Sequence, residues 1–335
     1  YRQFSTINKI SELNLIDKYI SNYPGTKGEF IYNPEEILPS VKWRQYYQVQ
    51  NAEKYKNLVP FSNYAKVMRG IATGANDYFT FNKEKANTYS IPRENLLPCI
   101  CKSKDVKKSI FTKDDFVELV ESNETVYLFN GIGTKDGNVL NFIVQGEKDK
   151  INERYLTKKR KPWYALENRA PAPIWVSVFN RNGLKFVRNE ANVSNLTTFH
   201  CVYLKQDNLF DSVHIDVLFA YLLTPTAHEI FNDNRREYGD GLKKFEPNDL
   251  NKAKMVNLSL LTESENDEIL KLYYLFKKEE QCHYIDRIDT IIKNRFKLDA
   301  VRKIDGFKKG NRKKTNAQQT VLQESGFSFP FKDFF

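Results

Sequence analysis

Two apolar runs, Ile174 to Asn180 and Leu184 to Val187, flank Arg181-Asn182-Gly183. Asn and Gly both tolerate the positive φ of a type I′ turn, so this stretch demands a β-hairpin and with it an antiparallel sheet. Other segments between about 60 and 205 also read as strands. Tyr78, Phe79 and Phe81 suggest a half-buried aromatic strand. Thr125 to Phe129 and Val139 to Val144 suggest a strand pair joined by a loop containing Asp136-Gly137, and Cys201 to Leu204 suggests a strand that closes the sheet.

Beyond about 210 the apolar period lengthens to that of a helix. Val213, Val217, Phe219, Ala220 and Leu223 precede Pro225, which ends or breaks that helix. Ser264 with Asp267 resembles a capping box ahead of Ile269, Leu272, Tyr273 and Phe276. Tyr284, Ile285, Ile288, Ile291 and Ile292 continue a helical stripe. The fold class expected is α+β, a strand-rich part with antiparallel hairpins followed by a mostly helical C-terminal portion. Residues 1–40, broken by Pro24-Gly25, Pro34 and Pro39, read as the tail of an upstream domain and a linker. Residues 41–205 read as an α/β domain, and 206–335 as a helical subdomain with a basic tail.

The net charge is +10 over 335 residues, which favours an acidic partner, nucleic acid before an anionic membrane. No apolar run reaches about 18 residues, so no transmembrane helix is expected. The polar start, Tyr1-Arg2-Gln3-Phe4, has neither an initiating Met nor the pattern of a signal peptide, and suggests a fragment or a trimmed chain. Cys99, Cys101, Cys201 and Cys282 form no C-x-x-C pair, which fits a reduced, cytoplasmic chain. His200-Cys201 and Cys282-His283 have poor spacing for zinc, and no metal site is assigned.

Arg69-Gly70-Ile71-Ala72-Thr73-Gly74-Ala75-Asn76-Asp77-Tyr78-Phe79 is a Gly-rich turn carrying a forked cation and compact hydrogen-bonding groups. It lacks the Gly-Lys-Ser/Thr of a phosphate-gripping loop. The stretch resembles the opening signature of the target-recognition region of adenine-specific DNA methyltransferases of type II restriction–modification systems. Two later stretches resemble the same region. One is Tyr155-Leu156-Thr157-Lys158-Lys159-Arg160-Lys161-Pro162-Trp163-Tyr164, followed by Pro171-Ala172-Pro173-Ile174; the other is Arg236 to Leu250, containing Tyr238-Gly239-Asp240-Gly241-Leu242. The resemblance spans roughly residues 40 to 255 and makes 41–205 the target-recognition domain.

The resemblance implies a parent reaction, transfer of a methyl group from S-adenosylmethionine to adenine N6 on a base swung out of the duplex. The family's catalytic loop, Asn/Asp-Pro-Pro-Tyr/Phe, is missing, since the chain has no Pro-Pro pair. No catalytic residue and no cofactor is therefore assigned to this chain, which is expected to be inactive alone and to work with an upstream or separate catalytic domain. Phe129-Asn130-Gly131-Ile132-Gly133 matches the family's cofactor pattern, but it lies downstream of the recognition signature and reads as part of a hairpin.

Duplex DNA is the partner implied. The candidate DNA-binding residues are Arg69, Thr73 and Asn76 in the turn, Lys158, Lys159, Arg160, Lys161 and Trp163 in the basic run, Arg181 and Asn182 at the hairpin tip, and Tyr238 and Lys243 in the third stretch. Cations supply phosphate contacts, while Arg and Asn can read guanine and adenine edges. The turn, the basic run and the hairpin tip are expected to face one groove. Two further basic sets, Lys102 to Lys108 and Arg302 to Lys314, can be solvated surface or phosphate contacts. A nuclease or fused restriction–modification enzyme, and a non-catalytic interaction domain, are the alternatives; salt-dependent duplex binding and Mg²⁺-dependent cleavage separate them.

Overall fold

The computed structural model describes residues 50–180, 184–205, 213–237 and 243–298, with scattered positions ahead of residue 50. At its centre lies a five-stranded sheet. Across it run β2 (Ala65–Arg69), β11 (Phe199–Leu204), β7 (Ile174–Ser177), β9 (Phe186–Asn189) and β5 (Ile110–Phe111). The pairings are antiparallel except that β5 runs parallel to β9. The hairpin demanded by Asn182-Gly183 is β7 and β9, with Trp175 opposite Val187; its tip, 181–183, lies outside the described residues. The strand expected from Cys201 onward is central to the sheet and does not close it, because it pairs on both edges.

Side chains alternate across the sheet. Ile174, Val176, Phe186 and Val202 belong to one apolar core, Trp175, Val187, Phe199 and Cys201 to another. Both faces are covered, so the strands read as continuous apolar runs. Each fully buried side chain of this size contributes about 1.5–3 kcal/mol relative to exposure. One face is covered by the helices Ile215–Leu222, Pro225–Phe231, Glu263–Glu279 and His283–Phe296. A two-stranded ribbon, β1 (Leu58–Pro60) antiparallel to β14 (Lys254–Val256), adds Met255 and Val256 to the same core. Pro225 breaks the first helix as expected and opens the second at its first position, where Thr224 Oγ1 accepts from the Ala227 amide. The capping box lies two residues earlier than Ser264–Asp267: Thr262 Oγ1 accepts from the Glu265 amide at 3.2 Å, and Glu265 Oε2 accepts from the Thr262 amide at 2.8 Å.

A four-stranded sheet lies alongside, in the order β10 (Ser194–Asn195), β4 (Leu96–Ile100), β6 (Tyr127–Phe129) and β3 (Thr80–Phe81). Two expectations fail here. Val139 to Val144 is not a strand but part of the helix Gly137–Lys148. Asp136 caps it by accepting from the Val139 amide at 3.0 Å, and Val139, Phe142, Ile143 and Gly146 bury one face at helical spacing. A helix therefore does follow Phe129-Asn130-Gly131-Ile132-Gly133, but β6 pairs antiparallel with β3 and β4, so the parallel βαβ setting of a cofactor loop is not formed by these strands. Tyr78 and Phe79 likewise sit in a helical turn, Asn76–Phe79, and the strand is confined to Thr80–Phe81. Lys85 Nζ fixes that turn by donating to the carbonyls of Asp77, Tyr78 and Thr80, at 2.6, 3.0 and 2.8 Å. The Tyr78 ring stacks on Phe142 at 4.4 Å. No helix among the described residues is long and apolar enough to cross a membrane.

The helical layer carries a pH dependence. Desolvation pushes the buried His228 imidazole down to about 4, against smaller upward effects from the Leu222 carbonyl and Asp289. The unfolded chain takes up this proton near pH 6.5, and the folded chain excludes it until about pH 4. The part of the stability linked to His228 is therefore fully present well above pH 6.5 and is lost as the pH falls through 6.5 towards 4. His200, also pushed down by burial, acts in the same direction. Urea midpoints at neutral and acidic pH should show a shallower loss for His228→Leu than for the native chain; an unchanged loss would exclude His228 as its source.

Candidate nucleic-acid interface

Arg69 ends β2 opposite His200 on β11, and Phe199 lies opposite Ser177 at the end of β7. The Gly-rich turn and the hairpin therefore leave the same end of the five-stranded sheet, two strand spacings or about 10 Å apart. The first turn residue, Gly70, passes the end of β10 so closely that a Cβ would sit 2.1 Å from the Leu196 carbonyl oxygen. Gly74 has φ +80°, and a Cβ there would lie 2.7 Å from Leu156 Cβ. Thr73 is buried: its Oγ1 donates to Asn76 Oδ1 at 2.5 Å and accepts from the Ala75 amide at 3.1 Å. Thr73 and Asn76 thus hold each other and shape the turn from within.

The basic run packs directly against this turn, across Leu156 and Gly74. Arg160 Nη1 donates to the Thr73 carbonyl at 2.7 Å, and Nη2 to the Ala72 carbonyl at 2.5 Å. Its guanidinium is a clamp on the turn. Trp163 lies over Gly146 beside Tyr78 and donates from Nε1 to Glu147 at 3.0 Å, which ties the run to the helix Gly137–Lys148. Lys158, Lys159 and Lys161 face solvent. Lys159 Nζ lies 3.8 Å from the ring centre of Tyr155, an exposed aromatic.

The hairpin continues into a three-stranded sheet, β12 (Arg236–Glu237), β13 (Lys243–Lys244) and β8 (Phe179–Asn180). Lys243 is in register with both Asn180 and Glu237. The chain therefore enters 181–183 and 238–242 from adjacent strand ends. Arg181, Asn182 and Tyr238 lie outside the described residues, and Lys243 is placed by its backbone. Burial pushes the His200 imidazole down, and its Nε2 lies 2.8 Å from the Phe245 carbonyl, which ties the small sheet to β11 next to Arg69. Phe179 is exposed, with Lys244 Nζ 5.3 Å from its ring centre.

Four stretches distant in sequence thus meet at one end of the sheet. Among the other basic sets, Lys102 and Lys104 pair with Glu124, and Lys108 with Glu280, while Arg302 to Lys314 lies outside the described residues. Sequence reasoning missed Glu167 and Arg169. Arg169 Nη1 donates to the Arg69 carbonyl at 2.9 Å, and Arg69 Nη2 pairs with Glu167 Oε1 at 2.7 Å. It also missed Tyr155 and Phe179, whose exposure marks them only once the fold is known.

The type II methyltransferase M.AccI of Acinetobacter calcoaceticus is 52% identical over 300 residues, 88% of this chain and 55% of that protein. M.XamI of Xanthomonas campestris pv. amaranthicola, another type II methyltransferase, is 21% identical over 201 residues, 58% of this chain and 36% of that protein. The chain thus spans about half the length, or less, of these curated relatives. A structure of the type IIG restriction endonuclease BpuSI overlays with a TM-score of 0.44 at 13% identity, covering 85% of this chain and 38% of that one. The family model of the C-terminal domain of type II methyltransferase M.Eco57I matches residues 40–293, which include all the stretches gathered at this end of the sheet. By that match the chain belongs to the family of the M.Eco57I C-terminal domain.

Proposed function

We propose that this chain is the sequence-recognition part of a type II adenine-N6 DNA methyltransferase and that it binds duplex DNA in the cytoplasm. The observation that carries the reading is the gathering of the Gly-rich turn, the basic run and the two hairpin ends at one end of one sheet. Lys158, Lys159 and Lys161 on that side supply phosphate affinity, and the segments containing Arg181, Asn182 and Tyr238 supply base contacts. Arg160, Thr73 and Asn76 act by fixing the turn, and Arg69 is its solvent-facing cation. S-adenosylmethionine and the target adenine belong to a catalytic region that is not formed by these residues.

Fluorescence anisotropy with labelled duplexes tests this. The purified chain should bind duplex DNA with an affinity that falls steeply with salt, by a factor unchanged when S-adenosylmethionine is added. Repeated selection from a random pool should enrich one sequence. Binding that ignores salt, or no binding at all, would sink the reading; binding without enrichment would remove its sequence-reading half.

A further inference from the structure

Arg69 is the one cation of the Gly-rich turn, and a carboxylate already holds it. Glu167 bridges two arginines. Its Oε1 lies 2.7 Å from Arg69 Nη2, and its Oε2 lies 2.5 Å from Arg169 Nη2. Arg169 is anchored independently, donating from Nη1 to the Arg69 carbonyl, and its side chain is only 18% exposed. Glu167 therefore keeps its place whether or not Arg69 stays with it. The Arg69 side chain is 54% exposed, whereas its backbone is fixed by pairing with His200. The guanidinium can change partners without moving the strand. A partly exposed ion pair is modest in strength, so a partner that offers Arg69 more than a lone phosphate does, such as a base edge read by two hydrogen bonds, can displace Glu167.

We propose that Glu167 is a built-in competitor for Arg69. It withholds this cation from the phosphates of non-target DNA and gives it up only where the duplex offers a better partner. The inference rests on the DNA-recognition reading above and adds a device that lowers affinity for arbitrary sequence. Its physical basis is a difference of affinities: weakening the wrong complex improves discrimination as surely as strengthening the right one.

The test uses the full chain and a fluorescein-labelled duplex of mixed sequence, titrated across a potassium chloride series. Glu167→Gln keeps the size and a hydrogen-bonding oxygen but loses the charge. It should bind about two- to fivefold tighter than the native chain. The plot of log affinity against log salt should steepen by about 0.9, the effect of neutralising one more phosphate. Adding Arg69→Gln should abolish both gains. Native affinity and slope in a folded Glu167→Gln protein, or weaker binding, would overturn the proposal. If that variant folds poorly, Arg69→Gln alone decides. Its slope on mixed-sequence DNA should match the native slope, and a drop of about 0.9 would show that Arg69 reaches phosphates despite Glu167. A native chain that binds no duplex removes both readings. A native chain that binds duplex, with the deciding variant contrary to expectation, removes only the competitor.

Discussion

Gly70→Ala should lower the unfolding free energy by about 1–3 kcal/mol, as an overpacked core position does. The added Cβ would lie 2.1 Å from the Leu196 carbonyl oxygen, 2.5 Å from its carbon and 2.7 Å from Asn195 Nδ2. Two of these atoms are backbone, and that backbone is held. The Leu196 amide donates to the Ile100 carbonyl at 3.0 Å, and Asn195 Nδ2 donates to the carbonyls of Leu196 and Phe199 at 3.0 and 2.9 Å. On the other side, the Ile71 amide donates to the Asn195 carbonyl at 3.0 Å. Relief requires breaking one of these bonds or displacing the end of β2, and with it Arg69. Gly137→Ala is the control, because a Cβ there meets nothing within 4 Å at the start of a helix. Urea denaturation compares the three proteins. Equal midpoints for Gly70→Ala and the native chain would show that the crossing at Leu196 is looser than the distances imply. A folded but weakened Gly70→Ala protein should also bind DNA less well, since the basic run packs on the turn.

The sheet and the helical layer were legible because each announces itself locally. Asn182-Gly183 marks a turn by backbone freedom alone, and Ile285, Ile288 and Ile292 mark a buried face by spacing alone. The helix Gly137–Lys148 departs from the strand expected there because Asp136-Gly137 serves two purposes. Asp-Gly is a hairpin turn in one setting, and Asp is an N-cap in another. The helical spacing of Val139, Phe142, Ile143 and Gly146 was available in the sequence and outweighs the turn signal. Tyr78 and Phe79 carry strand propensity, yet they turn helically because Lys85 and the Phe142 ring fix them from outside the segment. At the interface, the residue types were legible but not their partners. Nothing near Arg160 shows that its guanidinium reaches back to Thr73, 87 positions earlier. Nothing near Glu167 shows that it faces Arg69, 98 positions earlier. Such pairings come from topology, which local spacing does not encode.

That distinction separates the lysines of the basic run from its arginine. Among the described residues, no carboxylate pairs with Lys158, Lys159 or Lys161, and all three face solvent. Replacing the three together with Gln should leave the urea midpoint near the native value, since surface substitutions of this kind change stability by about 0.5 kcal/mol or less. Binding should weaken by about ten- to a hundredfold at physiological salt, on every duplex alike. The salt slope should fall by about 0.9 for each phosphate no longer neutralised, and so by nearly three if all three lysines touch phosphates. Arg181→Ala should behave differently if the hairpin tip reads a base. It should cost about 1–3 kcal/mol on the selected sequence and far less on scrambled DNA, with little change in slope. Arg160→Gln should differ from both, because two turn carbonyls lose their donors, and stability and binding should fall together. The three patterns are distinct in slope, sequence dependence and midpoint, so one set of titrations assigns each residue. A triple-lysine variant that binds every duplex as tightly as the native chain would remove the run from the interface. A loss confined to the selected sequence would instead make these lysines base readers.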